Sequence, residues 1–366
     1  MVTANPFLVN MGPQHPSTHG VLRLRLVLDG EKVLNVEPVL GYLHSSKEKL
    51  QEEHTYLQTV PITDRMDYLA AMTNNLGVAL AIEKLAGIQA PERAQYLRVI
   101  MAELQRVASH CFAQAVFLQD LGAWGGPLMY FLREREQVLD IFEMVCGARL
   151  TYNYIRPGGV SQDVPPDFLP AVHSFLATFP KKLDEYEGLL TKNEILRART
   201  VGVGVISREL ALSAGFSGPM LRGSGVDWDL RKQDPYCVYD RFAFDVPLGH
   251  VGDCYDRFMV RFYEIRESLR ILHQALDQLP PGEWKTPVPI VIRPPAGEAF
   301  QLIESPRGML GYYLVSDGGA APWRFHVRAP SFLNLGALNE MLVGSTVADV
   351  VAIVGSIDIV MGEVDR

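Results

Sequence analysis

Apolar and polar residues alternate from Val21 to Val39, with Val21, Leu22, Leu24 and Leu26 followed by Val33, Leu34 and Val36 around an Asp29-Gly30 pair. A period of two, broken by a pair that tolerates positive φ, predicts a β-hairpin with a tight primed turn. Farther along, the period changes. Over residues 64–86, 92–121 and 130–154 proline is scarce and apolar residues recur every three or four positions, which predicts three long amphipathic helices. A fourth helix is expected over 169–190, after Pro165, Pro166 and Pro170, and a fifth over 255–279, ending before Pro280-Pro281-Gly282. Residues 202–225 are glycine-rich and read as irregular. Residues 287–293, 300–305, 311–316 and 323–327 read as short strands, and 335–354 as a closing helix. The expected class is α+β, a long-helix bundle with small β units at its ends. One intertwined domain is expected: a loop and hairpin region over 1–60, the bundle core over 61–280, and strands, closing helix and tail over 281–366.

Composition narrows the possibilities. The 366 residues are 48% hydrophobic, and 34 basic against 42 acidic residues give a net charge of -8. A core can form, and no basic field exists to attract nucleic acid. No window approaches the ~20 uncharged apolar residues of a membrane span, and the first ten residues lack the pattern of a signal peptide. A soluble or peripheral protein with a retained N-terminus is expected. Cys111, Cys146, Cys237 and Cys254 are scattered without C-x-x-C spacing, which argues against a disulfide scaffold, a zinc site or an iron–sulfur cluster of the chain's own, and for a reducing setting.

Candidate chemistry begins at Gly12-Pro13-Gln14-His15-Pro16-Ser17-Thr18-His19-Gly20. Its prolines exclude regular helix or central strand, so it must be a shaped loop that can hold imidazoles in a set geometry. Histidine can donate a proton near neutral pH; alternatively His15 and His19 only tie the loop to the bundle. Thr63-Asp64-Arg65-Met66-Asp67-Tyr68 offers cap residues at an expected helix start. Tyr68 is there either a hydroxyl donor at a cavity rim or a core tyrosine satisfied by backbone. Asp120, among Phe117, Leu118 and Leu121, needs a partner if buried and is otherwise a surface residue. Gly202-Val203-Gly204-Val205-Ile206-Ser207 lacks the third glycine and the Lys-Ser/Thr of a phosphate loop, and G-x-S-x-G and H-E-x-x-H are absent. Arg133-Glu134-Arg135-Glu136 reads as a solvated helix face.

Five motifs in order resemble one family: residues 12–20; Gly41-Tyr42-Leu43-His44 with Glu48-Lys49; Arg156-Pro157-Gly158-Gly159-Val160; Ser217-Gly218-Pro219-Met220-Leu221-Arg222 with Gly225; and Gly355-Ser356-Ile357-Asp358 with Gly362-Glu363-Val364-Asp365-Arg366. The chain resembles the D subunit of bacterial NADH-quinone oxidoreductase, respiratory complex I, a family related to the large subunit of nickel–iron hydrogenases. The resemblance implies the hydrogenase fold without its metal site. Val360 and Glu363 stand where two metal-binding thiolates would be, and no cysteine occurs around residues 65–70. The vacated space would hold a quinone, menaquinone or ubiquinone.

The same resemblance assigns His19 and Tyr68 as proton donors to the quinone headgroup, with Asp120 as the histidine's carboxylate partner. Loss of the His19 proton would unbalance that pair and signal to the membrane pump. Arg65 matches the arginine beside a 4Fe–4S cluster held by the B subunit of the complex; its alternative is a salt bridge with Asp64 or Asp67. The chain itself would bind no cofactor. Implied partners are the B subunit, the C subunit and other peripheral-arm subunits, and the membrane-arm H subunit, on the cytoplasmic side of the bacterial inner membrane. In two places the chain departs from its relatives. Ser45-Ser46 replaces an Arg-Gly pair, and Thr151-Tyr152 stands where a cluster-bonding histidine is common; the second implies a lower, less pH-dependent cluster potential. Alternative readings are a scaffold protein, or a relative in a membrane-bound hydrogenase or ferredoxin-driven complex.

Overall fold

Antiparallel strands β1 (Phe7–Met11), β2 (Arg23–Asp29) and β3 (Lys32–Val39) open the chain, paired in that order. The computed structural model describes residues 6–13, 20–123 and 126–366. Leu24, Leu26 and Leu28 point inward from β2, and Gly30, at φ 60°, makes the turn. A register shift at Val27/Leu28 breaks the alternation on β3, so that Val33 and Val36 are buried while Leu34 is exposed. Hydrogen bonds between Val33 and both Gly344 and Ser345 tie this sheet to the far end of the chain.

Two short helices follow, α1 (Lys47–Glu52) and α2 (Tyr56–Thr63), the second opened by a Thr55/Gln58 capping box. Neither is expected from periodicity. The bundle consists of α3 (Ala71–Ala86), α4 (Glu92–Asp120), α5 (Gly126–Cys146), which is followed by the two-residue strands β4 (Ile155–Arg156) and β5 (Gly159–Val160), and α6 (Phe168–Leu190). Short helices α7 (Glu194–Thr200), α8 (Arg208–Ser213), α9 (Pro219–Gly223) and α10 (Leu230–Gln233) lead to α11 (Cys254–Asp277). A second antiparallel sheet, β6 (Gly297–Ser305), β7 (Gly308–Ser316) and β8 (Arg324–Arg328), precedes α12 (Pro330–Asn334), α13 (Leu338–Leu342), α14 (Val347–Ile357) and α15 (Met361–Val364). The architecture is α+β.

Where expectation and structure differ, a local cause is visible. The helix expected over 64–86 starts only at Ala71, because Asp67 accepts from the Leu69 N–H at 3.1 Å and Ala70 adopts φ -136°. Tyr68 therefore stands in a turn and not at a helix start. The helix over 130–154 stops at Cys146, before Gly147 at φ 71°. Residues 287–293 form no strand, since Pro287 and Pro289 cannot donate to a ladder. The closing helix is broken at Gly344, φ 89°, and restarts behind a Thr346/Asp349 capping box. The irregular stretch 202–225 contains α8, capped by the Ser207 hydroxyl, and α9.

α4 packs between α5 and α11, and α3 lies on the β6–β8 sheet. The polar positions of α4 do not all face solvent, as an amphipathic period suggests: Arg98, Glu103, Arg106 and His110 are as buried as its leucines. Glu134 likewise leaves the expected solvated face. It is buried and accepts from Tyr186 of α6 at 2.9 Å and Lys182 at 3.0 Å.

Candidate functional site

The turn at residues 64–70, one face of α4 and the turn between α14 and α15 enclose a cavity of about 170 Å³ lined by Tyr68, Leu69, Phe112, Val116, Asp358 and Val360, with Gly20 at its edge. Three causes bring these segments together. First, Gly362 packs where a Cβ would lie 2.4 Å from the Met66 carbonyl oxygen and 3.4 Å from the Tyr68 ring, so only glycine permits that approach. Second, Asp358 caps α14 in the left-handed conformation, φ 61° and ψ 55°, and so turns the chain into the cavity wall. Third, Arg307, fully buried in the β6–β7 turn, donates to Asp67 at 2.7 Å, to the Ser109 hydroxyl of α4 at 3.1 Å and to Asp358 at 3.2 Å.

Three carboxyl groups, Asp67, Asp358 and Glu363, thus share a buried region with Arg307. Burial pushes Glu363 up to about 7, repulsion from Asp67 adds to this, and hydrogen bonding from Ser331 and the charge of Arg307 oppose it. Asp67 is also raised by burial, against the pull of Arg307 and with the push of Asp358. The half-buried Tyr68 phenol is raised for the same first reason; Arg307 lowers it and Asp67 raises it further. Outside this group, burial raises Asp64 to about 7 despite hydrogen bonds from Asn75 and Asn153. Burial thus raises the carboxyl groups of Glu363 and Asp67 beside a cavity whose lining, apart from Tyr68 and Asp358, is apolar.

The structure brings together some of the residues that the sequence singles out. Tyr68 and Val360 line the cavity, whereas Glu363 is buried behind it, accepting from the Ser331 N–H at 2.9 Å. Asp120 ends α4 four residues beyond Val116, on the same helix face and half-buried. His19, like His15 and Thr18, lies outside the described residues; its neighbour Gly20 borders the cavity. Arg65 is exposed, donates to the Pro61 carbonyl oxygen, and is 3.9 Å from Asp64. Asp67 is engaged by Arg307 instead. Thr151 is half-buried, and the buried Tyr152 donates to the Arg149 carbonyl oxygen at 3.1 Å.

Sequence reasoning missed Arg307. Ser305-Pro306-Arg307-Gly308 has the composition of an exposed turn, and only the short interval between two strands hints that its arginine is held in place. A larger open cleft of about 520 Å³ near His44, Glu48, Arg324 and Arg366 carries less chemistry. Its charges are paired with one another, Glu48 with Arg366 at 3.0 Å and Arg324 with Glu52 at 2.9 Å, and Asp365 accepts from the Gly41 and Leu43 N–H groups, fastening the tail. Among the described residues, no group of three or more His, Cys, Asp or Glu side chains could hold a metal ion, and no helix is long and apolar enough to cross a membrane.

Similarity to known proteins gives the class to which the chain belongs. A family model described as respiratory-chain NADH dehydrogenase, 49 Kd subunit, matches residues 120–294 and 288–366. The chain is 57% identical over 365 residues, all of both chains, to the NADH-quinone oxidoreductase D subunit of Dehalococcoides mccartyi (strain ATCC BAA-2266 / KCTC 15142 / 195). It is 53% identical to the corresponding D subunit of Clostridium beijerinckii over 98% of this chain and 96% of that one. To that of Desulforamulus reducens it is 52% identical, over 100% of this chain and 99% of the relative. The chain belongs to the 49 kDa subunit family of respiratory-chain NADH dehydrogenase and is part of an NADH-quinone oxidoreductase complex.

Proposed function

We propose that this chain forms, with the B subunit of its complex, the site where quinone is reduced, and couples electron transfer from a 4Fe–4S cluster in that neighbour to proton translocation. It does so as a peripheral-arm component on the cytoplasmic side of the bacterial cell membrane, in contact with the C and H subunits. The observation that carries this reading is the cavity shared by Tyr68, α4 and the Asp358–Val360 turn. Small-molecule pockets commonly measure ~300–1,000 Å³. A cavity of about 170 Å³ takes a headgroup-sized fragment, which fits one wall of a pocket that a partner completes. The close packing of Gly362 on the 64–68 turn supports descent of this space from a hydrogenase metal site, since it unites the two places where ligand pairs are lost.

Quinone reduction takes two electrons and two protons. Tyr68, its proton held more tightly than usual by burial, hydrogen-bonds one quinone oxygen and gives that proton as the oxygen gains charge. His19, partnered by Asp120, supplies the second, and the altered His19–Asp120 charge balance is the signal for pumping. Among the described residues, no group of side chains offers the donors of an iron–sulfur cluster. The exposed Arg65 guanidinium would lie beside the neighbour's cluster, where a cation would favour the reduced form.

The test is Tyr68→Phe in the assembled complex, with quinone reduction normalised to NADH oxidation by an artificial acceptor. Positioned proton donors commonly contribute ~10²–10⁴-fold; with His19 still present, a loss of at least about tenfold in kcat is expected. Unchanged kcat and KM would reduce the role of the protein to that of a scaffold.

A further inference from the structure

The β6–β7 turn lies outside the cavity lining, yet it sends one side chain through the core to both cavity walls. Arg307 is wholly buried, and its two terminal nitrogens divide between Asp67, adjacent to Tyr68, and Asp358, across the cavity. Nη1 also holds Ser109 on α4, the third wall. An arginine's planar fork suits this role, because it fixes two carboxylates at a set separation, which a lysine cannot.

The turn that carries Arg307 is itself fastened. Gly308 and Gly218 stand back to back: a Cβ on Gly308 would lie 2.5 Å from the Ser217 hydroxyl, and one on Gly218 would lie 2.5 Å from the Gly308 Cα. Both have positive φ, 131° and 66°. The Ser217 hydroxyl accepts from the Met309 N–H at 3.0 Å, and Asn334 donates to the Arg307 carbonyl oxygen. Ser217-Gly218-Pro219 therefore serves as the seat of this turn, a role for that motif that the cavity alone does not explain.

We propose that Arg307 is a positioning residue for quinone reduction: by clamping Asp67 to Asp358 it holds the Tyr68 turn against the C-terminal wall and presents the phenol to the headgroup. The inference rests on the proposed role of Tyr68. In the step concerned, electrons delivered from NADH through the complex reduce the quinone. The Tyr68 O–H bond breaks, an O–H bond forms on the quinone oxygen, and the phenolate is left until it is reprotonated. Arg307 is the cation that acts on that phenol, so it also favours the charge left behind. Displacing a reacting group by about 1 Å can cost ~10²-fold in rate.

The test is a double-mutant cycle on the assembled complex with Arg307→Gln, Tyr68→Phe and the two combined, measuring kcat and KM for a short-chain quinone, normalised to NADH oxidation by an artificial acceptor. Arg307→Gln is expected to lower kcat by about tenfold or more with KM within about twofold. The double variant should be no slower than Tyr68→Phe by more than about twofold, since the arginine acts through the tyrosine. Normal kcat in Arg307→Gln, or losses that multiply in the double variant, overturns the proposal. If Tyr68→Phe alone turns over normally, the quinone-site reading falls first, and this inference with it. Should Arg307→Gln not assemble, Asp67→Asn breaks the same clamp from the other side, and the same non-additivity with Tyr68→Phe is required.

Discussion

At the scale of single residues, Glu363 has the simplest consequence. The residue is 1% exposed; one carboxyl oxygen accepts from the Ser331 N–H and the other has no hydrogen-bond partner among the described residues. Burial lifts it from an ordinary 4.5 to about 7. A carboxyl raised on folding stabilises the fold fully below its unfolded pKa, and that contribution is lost as the pH climbs through the folded value, here from about 4.5 to about 7. Glu363→Gln keeps the acceptor oxygen and cannot ionise. It is expected to be more stable than wild type at pH 8, by up to about 3 kcal/mol, with the gap shrinking towards pH 5.5. Thermal denaturation of the assembled complex at the two pH values checks this; a gap that does not depend on pH would mean Glu363 does not titrate in that window. This residue shows what sequence can and cannot convey. Its place in the closing motif is legible, but its burial is not, because Ser331 and Asp67 reach it from segments far away in the chain.

At the scale of elements, the long helices and the first hairpin are readable because their periods persist over many residues. What escapes is decided by contacts of the wrong range for a periodic pattern. The 64–70 turn looks helical until Asp67 is drawn to its own Leu69 N–H and to Arg307, 240 positions away. α3 crosses the second sheet at Gly77, which a helix would ordinarily replace with alanine for a gain of about 1 kcal/mol. A Cβ there would lie 2.7 Å from the Tyr312 ring, whose fully buried hydroxyl donates to Asn74 at 2.8 Å. Overpacking of this kind costs ~1–3 kcal/mol, and neither the ring nor its hydrogen bond can shift freely. Gly77→Ala is therefore expected to destabilise, by up to about 2 kcal/mol net. An unchanged or higher unfolding midpoint would show that Tyr312 moves aside easily.

At the scale of the whole molecule, the fold is organised around buried charge as much as around apolar area. Arg222 on α9 donates to Glu264 of α11 and to Glu304 of β6, both at 2.7 Å, and Glu264 also pairs with His110 of α4 at 2.9 Å. Beside them, Arg231 joins Asp229 at 2.6 Å to Glu103 of α4 at 3.1 Å, and Glu103 accepts from Ser268 and Tyr239. Helices α4, α9, α10 and α11 and strand β6 all contribute to this cluster, which explains why charges written into helical periods as if for solvent are found inside. A buried ion pair adds little by forming, but losing one partner strands the other, at ~3–5 kcal/mol. Against the 5–15 kcal/mol that typically separates folded from unfolded domains, Arg222→Met should release the protein from its complex at lower denaturant than wild type. Glu264→Gln in the same chain removes one of the stranded charges and should recover part of the loss. Denaturant titration of this release from wild type, single and double variants separates the two outcomes. If the double variant is weaker than the single by the full cost of a second lesion, Arg222 and Glu264 act independently, and the cluster is a set of separate pairs instead of one cooperative core.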